Sequence, residues 1–239
     1  MVYAVGDIHG RLDCLQCAFE AIDHDMRKRK GAEVIEIYLG GYVDKGPDSW
    51  DVVETLIARR DQRNAIFLRS LHETLLLTFL KDEIAYDAWR SLCGVQTALS
   101  YGISRDRLHR GAPLRGAELA KLFPGQHFEF MSQTAPHFAF GSYCFVSALE
   151  EGIGAQSTNN EPKHRASANA SEQTEHSAGA ITVHGHRPVA DAEFHPRRIN
   201  IDTAAFATGR LSVVRIDASG VAALKVRSGR AWPGGPPEA

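Results

Sequence analysis

Apolar positions in the first part of the chain recur with two alternating periods. Val2 to Val5 is a short continuous apolar run, followed by Leu12, Leu15, Phe19, Ile22 and Met26 at helical spacing. Val34 to Leu39 is strand-like, and Val53, Leu56 and Ile57 mark a second helix. Ala65 to Leu68 with the Leu-rich stretch Thr74 to Leu80 repeats the unit once more. This is a βαβαβα pattern. Parallel strands need helical crossovers, so the pattern predicts an α/β protein with a mostly parallel sheet, its ligands gathered beyond the carboxyl ends of the strands.

From Asp82 to about Phe130 the chain reads as helical and polar, with Trp89 as a packing residue and Tyr101-Gly102 as a turn. Tyr143 to Val146 and Ala180 to Val183 read as buried strands. Leu211 to Ile216 and Val221 to Val226 read as a closing hairpin around Asp217-Ala218-Ser219-Gly220. All of these are expected to form a second sheet against the first. Residues 150–178 carry runs such as Gln156-Ser157-Thr158-Asn159-Asn160, which offer no large apolar side chain to offset the entropy of ordering, so a mobile low-complexity loop is expected there. One domain over 1–230 and a disordered Pro- and Gly-rich tail over 231–239 complete the expected organisation.

Composition narrows the function classes. A chain of 239 residues that is 44% hydrophobic can bury one substantial core. Its 27 Lys and Arg against 29 Asp and Glu leave a net charge of -2, so no basic field marks it for nucleic acid. No stretch approaches the roughly 18 to 20 apolar residues of a membrane span, and Met1 to Asp7 lacks a basic segment followed by an apolar one. A cytoplasmic location without a membrane partner is expected. Of the four cysteines only Cys14 and Cys17 form a CxxC, without a second pair at metal-ligand spacing, and they read as small residues on a helix face.

Chemistry-bearing residues concentrate at the strand ends. Gly6-Asp7-Ile8-His9-Gly10 leaves the first strand and opens a helix, placing a carboxylate and an imidazole on a tight turn, a donor pair suited to a divalent metal. Gly40-Gly41-Tyr42-Val43-Asp44-Lys45-Gly46 follows the second strand and Leu68-Arg69-Ser70-Leu71-His72-Glu73 the third. Val183-His184-Gly185-His186-Arg187-Pro188 lies late in the chain at another strand end. His72-Glu73 does not open an HExxH metal motif, because Leu76 occupies the place of the second His.

In this order the turns resemble the motifs GDxHG, GDxVDRG, GNHE, HAG and GH of bacterial PPP-type serine/threonine phosphatases. The resemblance runs from Gly6 to the Ile199-Asn200-Ile201-Asp202-Thr203 stretch. It implies the calcineurin-like metallophosphoesterase fold, with four layers in which two packed mixed sheets are flanked by helices. In that family two metal ions, usually manganese, iron or zinc, share a bridging Asp and activate the water that attacks phosphorus, while a His acts as general acid.

Carried over by position, the resemblance assigns Asp7, His9 and His186 as metal ligands, His72 as general acid and Asp44 as the carboxylate that orients it. Lys45 and Arg69 are assigned to substrate binding. The bridging Asp falls on Gly41, the Asn of the third motif on Leu71, and the His of the fourth on Ser147; none of these replaces the lost donor. Lys45 stands where the family has Arg, a point charge in place of a bidentate fork. His184 reads as a packing group or as a support behind the metal ligands, and His164 and His176 as solvated side chains.

Two functions are therefore expected from the resemblance. One is a phosphatase descendant with lost or impaired hydrolysis and weak or single metal occupancy, which binds a phosphorylated protein or a nucleotide. The other is a working phosphomonoesterase, acting on phosphoprotein or diadenosine tetraphosphate through one metal on Asp7, His9 and His186, or with His184, Ser147 or a loop His as substitutes.

Overall fold

Strand β1 (Val2–Val5) is buried on both of its faces, and this requires a layer on either side of it. Side chains alternate across a strand, so Val2 and Ala4 face one way while Tyr3 and Val5 face the other. The computed structural model describes residues 1–29, 31–81, 86–109, 113–148 and 180–226. The expected loop 150–178 and tail 231–239 lie outside the described residues, as do His164 and His176.

The predicted unit is observed as β1, α1 (Leu12–Arg27), β2 (Ile35–Tyr38), α2 (Ser49–Gln62), β3 (Ala65–Phe67) and α3 (Leu71–Lys81). β1 pairs in parallel with β2, and β2 with β3. Five short helices follow: α4 (Tyr86–Ser91), α5 (Val95–Ser100), α6 (Arg105–His109), α7 (Gly116–Ala120) and α8 (Gly125–Ser132). This stretch is less polar in place than it reads, because Trp89, Ala98, Tyr101, Leu119, Phe130 and Met131 are all buried in the core beneath the first sheet.

The second sheet holds β4 (His137–Phe140), β5 (Tyr143–Val146), β6 (Ile181–His184), β7 (Glu193–His195) and β8 (Arg198–Asn200), in the order β4-β5-β6-β8-β7. β5, β6 and β8 run parallel, and the edge strands β4 and β7 are antiparallel to their neighbours. Both edge strands are short, of four and three residues, too short for a period to announce them in the sequence. A short helix, α9 (Ala205–Thr208), leads to β9 (Val213–Asp217) and β10 (Gly220–Ala223).

That last hairpin corrects an expectation. It forms as predicted, but it extends the first sheet to the order β10-β9-β1-β2-β3, with β9 antiparallel to β1. The burial pattern of β9 supplies the reason: Val214 and Ile216 face the second sheet while Val213 faces the helices, and only a place beside β1 covers both faces. Val2, Ala4, Ile37 and Leu39 then meet Phe145, Val183, Ile199 and Ile201 in the core between the sheets. The result is two five-stranded mixed sheets flanked by helices. Among the described residues no helix is long and apolar enough to cross a membrane.

One ionic element lies in the helix-facing core. Glu36 on β2 accepts two hydrogen bonds from Arg59 of α2, at 2.7 and 2.9 Å, and one from the Tyr38 hydroxyl at 2.6 Å. Arg59 also reaches Asp23 of α1, so one guanidinium joins two helices to the sheet. Removing one member of such a buried pair strands the other. Arg59→Ala is therefore expected to lower unfolding free energy by about 3–5 kcal/mol in urea denaturation, and a loss below about 1 kcal/mol would deny the network that role.

Candidate functional site

The turns that the sequence places at strand ends converge, and the backbone joins them. The Gly41 carbonyl accepts the N–H groups of Ile8 and His9, at 3.0 and 2.6 Å, and the Tyr42 carbonyl accepts that of Gly10 at 2.9 Å. The turn after β1 is thus docked on the turn after β2. Glu73 fixes the turn after β3 to the same place. Its buried carboxylate accepts from the N–H groups of Gly41, Tyr42 and Ser70 and from the Ser70 hydroxyl, at 2.5 to 3.2 Å. A carboxylate ringed by donors can keep its charge away from water.

On this frame the expected acid and its partner meet. His72 Nδ1 donates to Asp44 Oδ2 at 2.8 Å, so Nε2 is the nitrogen facing away from Asp44. The other oxygen of Asp44 accepts from the Thr97 hydroxyl at 2.7 Å and from the Trp89 indole N–H at 3.2 Å. Burial pushes the Asp44 carboxyl up, and its bond to His72 pulls the other way. The His72 ring lies edge-on to His9 with centroids 4.5 Å apart and stands 6.4 Å from His186.

Asp7 is the most constrained group. Its Oδ1 accepts the His186 N–H at 3.3 Å, and its buried Oδ2 has no hydrogen-bond partner among the described residues. Gly185 permits this approach, since a Cβ there would lie 1.9 Å from Asp7 Oδ1. Burial, then the neighbouring Asp202 carboxylate, pushes the Asp7 carboxyl well above its usual range, while Lys45 and the His186 N–H pull it down. His9, fully buried, is pushed well below the ordinary imidazole range by burial first and by the charge of Lys45 next. His186, at the solvent-exposed side, is lowered by burial and by its neighbours His72 and Lys45.

His9, Asp44, Lys45 and His186 all have positive φ, between 48° and 68°. A left-handed backbone costs a side-chain-bearing residue roughly 1–2 kcal/mol. Such strain persists where surrounding bonds over-determine it, as at functional sites.

Asp202 was not among the residues expected at the site, although it lies in the matched stretch after β8. It is buried, its Oδ1 accepts the Ala204 N–H at 2.9 Å, and its carboxyl is pushed up by burial. The rule that ligand-facing residues follow parallel strands could have found it. Glu73 was legible only as the last letter of the third motif, because its bracing role depends on three separate turns. Arg69 is placed elsewhere: its guanidinium donates to Thr134 Oγ1 and to the carbonyls of Met131, Ser132 and Thr134 at the end of α8. Its Nε and Nη2 donors are thus engaged in closing a helix end. Of the two residues assigned to substrate binding, Lys45 stands in the cluster.

The donor set does not fit a two-metal centre. Among the described residues no three His, Cys, Asp or Glu side chains come together so as to hold a metal ion. Gly41, at the bridging position, has φ +62°, and a Cβ there would lie 2.9 Å from Asp7 Oδ2. Ser147 is buried with its hydroxyl unpartnered, and Leu71 is 48% exposed. His9 Nε2 is 3.7 Å from Asp7 Oδ2, but Lys45 Nζ stands only 3.0 Å from it. His184, buried, turns Nδ1 to the Gly185 carbonyl and leaves Nε2 without a partner.

The architecture is that of the calcineurin-like metallophosphoesterases. A structure described as a candidate diadenosine tetraphosphatase superposes with a TM-score of 0.57 at 18% identity, covering 97% of this chain and 94% of the other. The cold-active protein-tyrosine phosphatase of a psychrophilic Shewanella species gives 0.59 at 12% identity, over 93% of this chain and 76% of that one. A metallophosphoesterase from Sphaerobacter thermophilus gives 0.52 at 14%, over 95% and 88%. At these identities the likeness establishes the fold. No protein-family model and no curated protein matches the sequence.

Glu73 offers the direct test of how the turns are held. Glu73→Ala would leave buried N–H groups unpaired at roughly 1–3 kcal/mol each, so a stability loss of at least about 3 kcal/mol is expected in urea denaturation. Glu73→Gln should recover part of it, because the amide oxygen still accepts.

Proposed function

We propose that this chain descends from phosphatases of this fold, that its two-metal phosphomonoester hydrolysis is lost or strongly reduced, and that its site serves a phosphorylated protein or nucleotide ligand. The observation that carries the reading is at Gly41. The bridging carboxylate has no counterpart there, and Asp7 Oδ2, which a Cβ on Gly41 would meet at 2.9 Å, is buried without a hydrogen-bond partner among the described residues. Loss of outer supporting groups alone typically lowers metal affinity ~10 to 100-fold, and here ligand positions themselves are vacated.

What remains favours recognition of a phosphate ester. The His72 and Asp44 pair is intact at 2.8 Å, Lys45 adds a positive charge, and His186 opens the cluster to solvent. Among ligands, phosphoserine and phosphothreonine peptides come first and diadenosine tetraphosphate next. The structure described as a candidate diadenosine tetraphosphatase supports keeping both in view.

Protein purified without chelator is expected to contain well under one equivalent of transition metal. With added Mn²⁺ it should hydrolyse p-nitrophenyl phosphate no faster than its His72→Ala variant. Near-stoichiometric metal with turnover that His72→Ala removes would overturn the reading. A second test restores the family pattern. The triple variant Gly41→Asp, Leu71→Asn, Ser147→His is expected to take up metal and to be less stable than the parent without it, because the new carboxylate is driven against Asp7 in a left-handed backbone. If that variant folds yet stays metal-free at millimolar Mn²⁺, the ligand positions are misassigned.

A further inference from the structure

Lys45 has turned inward. Its Nζ lies 3.0 Å from His9 Nε2 and 4.5 Å above the centre of the Phe206 ring. The tautomer of His9 follows from its other contact. Nδ1 is 2.9 Å from the Val43 carbonyl, which can only accept, so Nδ1 carries the hydrogen and Nε2 carries the lone pair. An imidazole nitrogen has one lone pair, which an ammonium N–H or a metal ion can take, but not both. Phe206, edge-on to His9 at 5.7 Å, completes the cation's surroundings with its ring face.

We propose that Lys45 is the resident cation of this site, occupying the lone pair of His9 that metal coordination would need and so excluding metal from the Asp7 and His9 pocket. The inference rests on the reading of lost two-metal hydrolysis and goes beyond it, since the vacancies at Gly41, Leu71 and Ser147 explain weak metal binding without naming what replaces the charge. Asp7 and Asp202 are both buried carboxylates, and the charge of Lys45 favours the ionised form of each. The residue type matters. Arginine, which the resemblance expects here, carries a planar fork suited to gripping phosphate oxygens, whereas lysine brings a compact point charge on a flexible stem that can fold back onto a single nitrogen. The replacement thus changes the direction of the charge as well as its shape.

Mn²⁺ titrations followed by native mass spectrometry and thermal unfolding compare the wild-type protein with Lys45→Met, which keeps the stem against Phe206 and removes the charge. Lys45→Met is expected to unfold at a lower temperature without metal and to bind Mn²⁺ about tenfold or more tightly than wild type, with a metal-dependent rise in Tm. The gain should vanish in the Lys45→Met, His9→Ala double variant. Equal Mn²⁺ affinity in wild type and Lys45→Met, or a gain that survives His9→Ala, would overturn the proposal.

Should Lys45→Met fail to fold, the wild-type protein still decides. Its NMR spectra are expected to show cross-peaks from the Lys45 ε protons to the rings of both His9 and Phe206, and their absence would count against the resident cation. Metal content and turnover of the wild-type protein alone test the loss of hydrolysis. The difference between wild type and Lys45→Met tests the lysine, so each can fail without the other.

Discussion

Three turns from three different strands are held together through one residue that has no side chain. Gly41 receives the N–H groups of Ile8 and His9 on its carbonyl and gives its own N–H to Glu73, so the ends of β1, β2 and β3 are locked within hydrogen-bonding distance of one another. Its φ of +62° is open to glycine at no cost, and that conformation lets the carbonyl face the first turn. The same residue sits where the resemblance expects the carboxylate shared by two metals. A side chain at this position would meet Asp7 Oδ2 at 2.9 Å from a left-handed backbone, and the glycine avoids both.

Around this glycine lie two buried carboxyl groups, Asp7 and Asp202, each pushed toward its neutral form by burial. The positive charge of Lys45 acts against that push on both groups. Lys45, strained into a left-handed backbone at φ +63° and seated on Phe206, is the positive charge that the fold delivers to its centre. His72 and Asp44 are tied to the helical segment as well, because Thr97 and Trp89 also donate to Asp44.

How much of this was legible in the sequence depended on whether the signal was local. The strand and helix order to Lys81 could be read because Val2 to Val5, Ile35 to Tyr38 and the Leu-rich α3 each carry their own periodicity. The position of Asp7, His9, Asp44, His72 and His186 around one centre followed from the rule that parallel strands end on the same side. Partnerships set in three dimensions could not be read. The hairpin ending in Ala223 looks the same in sequence whichever sheet it joins, and the edge strand His137–Phe140 is too short, and at its end too exposed, to impose a pattern. Nothing local reveals that carbonyls from residues 131 to 134 lie within reach of Arg69. The inward turn of Lys45 was hidden for the same reason, as Phe206 and His9 are far from it along the chain.

Trp89 is buried, stacked on Phe79 at 4.6 Å between ring centres, and its indole N–H ends on the carboxylate that orients His72. Trp50 lies partly exposed on α2, away from this contact, and Trp232 falls outside the described residues. An indole's emission shifts with the polarity and charge around it, so this buried ring reports optically on the state of Asp44 without any added label. The molecule carries its own fluorophore one hydrogen bond away from the contact between Asp44 and His72.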